Sequence, residues 1–232
     1  MNPTELPEKQ FKIYREILKR YKVSFTPLTI RDHHLEILQV DDLEPLLAGK
    51  DPFKDVESFP FWVKLWEASL VLADLMASLA PRPGQTLLEL GAGLGAPGLA
   101  AAAAGYQVTL SDYEQHILNF QKVNAGASQV ADRVQHVLID WLKPPRDLAS
   151  FDTIIGAEIL FREPFFEPLL TIFRQYLKPG GVIYLAHDVR RKSLPKFLIQ
   201  AEKHFEVAVS TRTLRTEDKE LIIIVNRLTP RD

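Results

Sequence analysis

The 232-residue sequence predicts an α/β fold: a Rossmann-like, seven-stranded, mostly parallel sheet with an antiparallel C-terminal strand pair, preceded by an N-terminal helix and β-hairpin. Three observations carry that expectation. Between residues 86 and 204, apolar runs of strand length alternate with helical patterns. A glycine loop, Gly91-Ala-Gly-Leu-Gly95, follows the first of those runs and opens a helical stretch. Two apolar runs at the C-terminus are separated by a short polar link, so they pair as antiparallel neighbours.

Taken in order, residues 8–21 place Phe11, Tyr14, Ile17, Leu18 and Tyr21 at helical spacing. Residues 23–40 read as two short strands about a polar turn at Arg31-Asp-His-His34. Residues 49–59, broken by Pro52, read as a loop and mark a boundary between an extension (1–58) and a main domain (59–232). A helix over 66–79 is stopped by Pro81 and Pro83. The alternation then runs as strand 86–90, helix 96–104 closed by Gly105, strand 107–111, helix 113–124 and strands 134–139 and 151–157. It continues as helix 164–177, stopped by Lys178-Pro-Gly-Gly181, then strand 182–186 and helix 194–204. Strands 205–212 and 220–227 close the chain about a link at 213–219. The alanines at 100–104 suit a helix lying close on the sheet.

Composition removes several classes of chemistry. With 46% hydrophobic and 25% charged residues, the chain can bury a core without disulfides or metals. The absence of cysteine excludes disulfide frameworks, cysteine-ligated zinc, iron–sulfur clusters and cysteine nucleophiles, and fits a cytoplasmic protein. A net charge of −2 offers no bulk field for nucleic acid, and no apolar run reaches membrane-spanning length. None of the six histidines forms a ligand pair, His33-His34 reading as a solvated turn, so no metal is expected. No nucleophile elbow or Ser-His-Asp order is present.

Gly91, Gly93 and Gly95 let the backbone turn sharply and approach a ligand, because no Cβ intervenes. The helix that follows presents free N–H groups. Asp112 ends the next strand, at a distance suited to binding ribose hydroxyls. The loop also satisfies the dinucleotide pattern G-x-G-x-x-G/A. Against a dinucleotide stands Glu89, whose carboxylate would repel pyrophosphate yet suits a zwitterionic amino-acid ligand. Asp140-Trp141 supplies an acid for an adenine amino group and a ring to pack on the base.

Together with Ser111-Asp112, Ile139-Asp-Trp141, Gly156-Ala-Glu-Ile-Leu-Phe161 and Leu177-Lys-Pro-Gly-Gly181, the glycine loop resembles the motif series of the seven-β-strand S-adenosylmethionine-dependent methyltransferases. Leu65-Trp66-Glu-Ala-Ser69 and the stretch 196–228 narrow the resemblance to the non-histone protein-lysine methyltransferase branch. The resemblance implies S-adenosyl-L-methionine as cofactor, with Trp66 near its methionine moiety and Glu89, Gly91 and Gly93 on the methionine and ribose side. It implies Asp112 on the ribose hydroxyls, Tyr113 beside adenine, and Asp140 and Trp141 on the adenine edge and face. Trp62 is equally a pocket wall or a core residue.

Ligands of open α/β sheets bind outside the carboxyl ends of the strands, where Glu158 follows strand 151–157. In the resembling branch that acid is usually Asp and its aromatic partner often Tyr; this chain has Glu158 and Phe161, and Phe161 has no hydroxyl to donate. Methyl transfer depends mainly on aligning a lone pair with the methyl carbon. A lysine nucleophile must first be neutral, which Glu158 would assist by positioning the amine and which desolvation by Phe161 and Trp62 would favour. The expected partner is a protein presenting a lysine; a small amine, an NAD-dependent oxidation and a non-catalytic binding module are the alternatives. His187-Asp188 is a candidate for the substrate mouth, and Arg190-Arg191-Lys192 reads as a solvated loop.

Overall fold

The computed structural model describes residues 1–47, 60–215 and 220–231. The expected loop at 49–59 lies outside the described residues. The chain begins with α1 (Glu8–Leu18), a hairpin of β1 (Val23–Ile30) and β2 (His33–Val40), and the short α2 (Glu44–Leu47). After residue 60 come α3 (Glu67–Ser78), β3 (Thr86–Glu89), α4 (Ala96–Ala104), β4 (Gln107–Asp112), α5 (Gln115–Ala127) and β5 (Val134–Leu138). Then follow β6 (Phe151–Ala157), α6 (Phe166–Tyr176), β7 (Leu177–Asp188), α7 (Leu194–Ala201), β8 (Phe205–Arg215) and β9 (Glu220–Pro230).

The seven-stranded sheet has the order β5-β4-β3-β6-β7-β9-β8. Strands β3 to β7 pair in parallel, and β9 runs antiparallel between β7 and β8. The strand order reverses between β3 and β6, so the loops after these two strands part around a crevice. That topology brings the glycine loop and Glu158 together from positions far apart in the chain.

Each sheet face carries its own core. On one, Leu72, Met76, Leu99 and Phe120 from α3, α4 and α5 meet Leu87, Val108 and Leu110. On the other, Leu169, Phe173 and Phe197 from α6 and α7 cover Leu88, Ile154 and Ile183. The alanines of α4 do what their small size allows: Ala100, Ala101 and Ala102 are fully buried, and the helix lies so close that a Cβ at Gly98 would come 2.3 Å from Leu110 Cδ2. Among the described residues, no helix is long and apolar enough to cross a membrane.

The N-terminal hairpin shares the first of these cores through Ile30, Leu35, Ile37 and Leu38. Asn124 of α5 fixes it: its Oδ1 accepts the Leu38 N–H at 2.8 Å while its Nδ2 donates to the Leu94 carbonyl at 2.9 Å. None of the described residues before 48 lines either of the hollows described below.

Several boundaries differ from the sequence expectation. His33 and His34 belong to β2, because the turn is closed by Arg31 and Asp32 alone, with Arg31 at φ 51°. Tyr113 is outside α5, which starts at Gln115, and α6 starts at Phe166 after a 3-10 turn over Glu163–Phe165. α6 stops at Tyr176 as expected, but β7 starts at once at Leu177, so Lys178-Pro-Gly-Gly181 is irregular strand rather than a turn before it. β8 and β9 run on to Arg215 and Pro230, while α7 stops at Ala201.

Candidate active site

Gly91, Gly93 and Gly95 adopt φ of 58°, 53° and 84°, a region that side chains with a Cβ occupy at a cost. The loop is also pressed from outside. A Cβ at Gly91 would sit 3.1 Å from Trp141 Cζ2, and one at Gly93 would sit 3.3 Å from the Trp62 carbonyl oxygen. Its own carbonyls are held from α5: Gln121 Nε2 donates to Gly93 O at 3.0 Å, and Asn124 to Leu94 O. Gln121 and Asn124 are fully buried, and the sequence reading passed over both. Their signal was present as two polar residues on an otherwise apolar helix face.

Three acids stand at or just past the ends of three adjacent strands. Glu89 is buried at the end of β3, and its Oε2 accepts the Gly98 N–H at 2.8 Å, in the first turn of α4. Burial pushes its carboxyl up to about 8, against the pull of that hydrogen bond. Asp112, buried at the end of β4, accepts the Gly93 N–H on Oδ2 and the Tyr113 N–H on Oδ1, each at 2.9 Å. Burial again dominates and pushes its carboxyl up to about 6. Asp140 is exposed past β5, where its Oδ1 accepts the Leu142 N–H at 2.9 Å and closes the turn that carries Trp141. Trp141 lies against Gly91 and meets Phe165 edge-on at a centroid distance of 5.4 Å. Tyr113 is exposed beside Asp112.

Two hollows open at this edge. The smaller is lined by Trp66, Glu89, Gly91 and Ala157. The larger is a cleft of about 800 Å³ lined by Lys64, Trp66, Glu158, Phe161, Asp188 and Arg191, among others. Lys64 and Trp66 line both. Trp66 is fixed as the residue that caps α3, with its Nε1 donating to the Phe61 carbonyl at 2.9 Å. Lys64 Nζ stands 4.5 Å from the centre of its ring.

Glu158 leaves β6 at φ 57°, a left-handed conformation that glycine favours. Its Oε1 accepts the Asp188 N–H at 2.7 Å, and Arg191 donates to its Oε2. Phe161 is exposed on the cleft wall and packs on Phe165, 5.5 Å between centroids.

Three expectations change here. The Trp62 ring lines neither hollow and packs on Phe120 at 4.9 Å and His116 at 5.1 Å, while its backbone lies against Gly93. His187 is fully buried rather than at the mouth, and burial holds its imidazole down at about 3, while Asp188 does line the cleft. Arg191 is an ion-pair partner of Glu158 rather than part of a solvated loop, because the turn after β7 folds back over the end of β6.

A family model described as lysine methyltransferase matches residues 59–204. The protein N-lysine methyltransferase METTL21A of Xenopus tropicalis is 28% identical over 195 residues, covering 82% of this chain and 83% of that one. The EEF1A lysine methyltransferase 3 of Mus musculus is 31% identical over 129 residues, 55% of this chain and 56% of its own length. In fold, the chain is similar to an S-adenosylmethionine-dependent methyltransferase from Agrobacterium tumefaciens, with a TM-score of 0.63 at 18% identity over 89% of this chain and 70% of that one. The sheet order, with its antiparallel last pair, agrees with these matches. The chain belongs to the lysine methyltransferase family and is an S-adenosylmethionine-dependent methyltransferase.

Proposed function

We propose that this enzyme N-methylates a lysine side chain of a protein. The observation that carries the reading is adjacency: Trp66 lines both the glycine-loop hollow and the cleft that holds Glu158, so a methyl group presented at the glycine loop would lie beside that cleft. The relatives named for protein-lysine methylation support the same acceptor class.

The residues fit S-adenosylmethionine. Gly91 has no side chain to project into the hollow it lines, so the backbone of the loop stays within reach of a ligand there. In this reading Asp112 takes the ribose hydroxyls, Tyr113 and Trp141 flank adenine, and Asp140 takes its amino edge. Trp66 and Gly91 line the amino-acid end, Gly93 belongs to the same loop, and Glu89 holds the helix that closes it. When bound, the cofactor supplies an activated methyl group. The protein's work is then to place a neutral amine in line with it and to keep water out.

Glu158 does the placing. Its carboxylate is fixed by the Asp188 N–H and offers an acceptor to one amine hydrogen, which orients the nitrogen lone pair away from the carboxylate. Phe161 covers the lysine stem and lowers the cost of the uncharged amine, whose ordinary pKa is about 10.4. The division into an extension (1–58) and a cofactor-binding domain (59–232) belongs to the same proposal, with the substrate protein reaching the cleft from the side of Phe161 and Arg191.

Glu158→Gln tests the assignment. Affinity for S-adenosylhomocysteine by calorimetry is expected to stay within about threefold, roughly 0.65 kcal/mol. Methyl transfer to lysines, followed by mass spectrometry with labelled cofactor, is expected to fall by about 100-fold. Full turnover in a folded variant would remove Glu158 from the reaction.

A further inference from the structure

We infer that Arg191 is an internal cation standing where the acceptor's amine is received, and that it makes the site selective for a lysine with acidic neighbours. The inference rests on the lysine reading above and adds the class of sequence around that lysine.

Both oxygens of Glu158 already have partners, the Asp188 N–H on Oε1 and the Arg191 guanidinium on Oε2. The Glu158 side chain is only 12% exposed, so an entering amine takes the Oε2 side by exchange rather than by addition. The exchange leaves Glu158 in place, because the Asp188 N–H and the backbone bond from the Glu158 N–H to Ala186 O at 2.9 Å are untouched. Arg191 is suited to release. Its side chain is 31% exposed, and its Nε is buried with no hydrogen-bond partner. Behind it lies His187, whose two ring nitrogens are buried and unpartnered and whose neutral ring offers no countercharge.

Once released, Arg191 meets carboxylates that are already engaged. Asp188 is held by Arg190 at 2.5 Å, Glu163 by Lys196, and Glu67 faces Lys64 at 3.8 Å. Lys192 also lines the cleft and has no carboxylate partner among the described residues. A lysine bound to Glu158 therefore leaves two neighbouring cations, Arg191 and Lys192, without countercharge. An Asp or Glu beside the target lysine supplies it, and a basic neighbour makes the imbalance worse.

The test uses the full chain saturated with S-adenosylhomocysteine and two capped tripeptides, Ac-Glu-Lys-Glu-NH2 and Ac-Ala-Lys-Ala-NH2. Calorimetry is expected to show about tenfold tighter binding of the acidic peptide at low salt, falling to about twofold at high salt. Arg191→Gln is expected to bind the alanine peptide more tightly than wild type and to lose most of the acidic preference, keeping only the share owed to Lys192, while Arg191→Lys keeps it. Equal binding of both peptides to wild type, or an acidic preference undiminished in Arg191→Gln, overturns the inference and leaves lysine methylation standing. If Arg191→Gln does not fold, the wild-type comparison at two salt concentrations decides alone. If neither peptide binds, and neither is methylated when S-adenosylmethionine replaces S-adenosylhomocysteine, the lysine reading fails and takes this inference with it.

Discussion

Gly98→Ala sets two physical effects of opposite sign against each other. Gly98 lies in the first turn of α4, where alanine would ordinarily stabilise a helix by about 0.5–1 kcal/mol over glycine. Here the added Cβ would meet Leu110 Cδ2 at 2.3 Å, Glu89 Oε2 at 2.6 Å and Val108 Cγ1 at 3.1 Å. Leu110 and Glu89 are buried and have no solvent to swing into. Overpacking of this kind costs about 1–3 kcal/mol. Pushing Glu89 aside also breaks its 2.8 Å hydrogen bond from the Gly98 N–H, and a buried group left unpaired costs about 1–3 kcal/mol more. The net expectation is destabilisation of about 3 kcal/mol, read as a lower urea midpoint at unchanged slope. Gly84→Ala is the control: Gly84 has φ 76° but nothing within 4 Å of its Cβ, so it carries the left-handed cost of about 1–2 kcal/mol alone. A Gly98→Ala protein as stable as wild type would refute the tight seating of α4 on β4 and the role of Glu89 in anchoring it.

Two further substitutions probe the acids. Asp112→Ala is expected to weaken S-adenosylhomocysteine binding by about 1.5–3 kcal/mol in calorimetry, because it removes an acceptor for ribose and frees the Gly93 N–H from its 2.9 Å bond; unchanged affinity would take Asp112 out of the site. Glu89 has a folded pKa near 8 against an ordinary value near 4.5, so between those values the folded chain holds a proton that the unfolded chain has lost, and its contribution to stability declines as pH rises. Glu89→Gln should come closest to wild type in unfolding midpoint at about pH 4 and exceed it by a margin that grows from about pH 5 to about pH 8; taking the difference between the two proteins cancels the opposing contributions of buried His136 and His187, and parallel profiles across that range would show that the folded state does not hold the Glu89 proton.

What the sequence made legible was local. The glycine loop, Asp112 and Asp140-Trp141 each follow a strand directly, so position along the chain and position at the sheet edge coincide. Residues whose partners lie far along the chain were not legible. Gln121 and Asn124 reach carbonyls 28 and 30 residues away, and Arg191 reaches Glu158 across 33. A basic triplet in a polar stretch carries no mark of which carboxylate the fold will bring to it. The misread start of β7 has a different cause. Pro179 and Gly180 signal a break, yet β9 does not pair with β7 until Ile183, so the missing N–H of Pro179 falls where no ladder bond from β9 is needed. His33 and His34 read as turn residues in the sequence because the polar run Arg31-Asp-His-His34 is longer than the two-residue connection the hairpin uses.

Glu158 is where local preference and fold part company most clearly, and the disagreement is informative. A left-handed residue with a Cβ costs about 1–2 kcal/mol, which Gly or Asn would largely avoid. The chain bears that cost one residue past β6 while still tied to β7 through the Ala186 carbonyl. The left-handed turn aims the side chain across the sheet edge at the start of the β7–α7 connection, where the Asp188 N–H and Arg191 meet it. Glycine there would relieve the backbone but leave Arg191 without its countercharge, and asparagine would leave it with a neutral partner. The strain is thus offset by charge-assisted bonds that only a carboxylate makes. Such bonds hold that carboxylate on the wall of the cleft that Trp66 joins to the glycine loop.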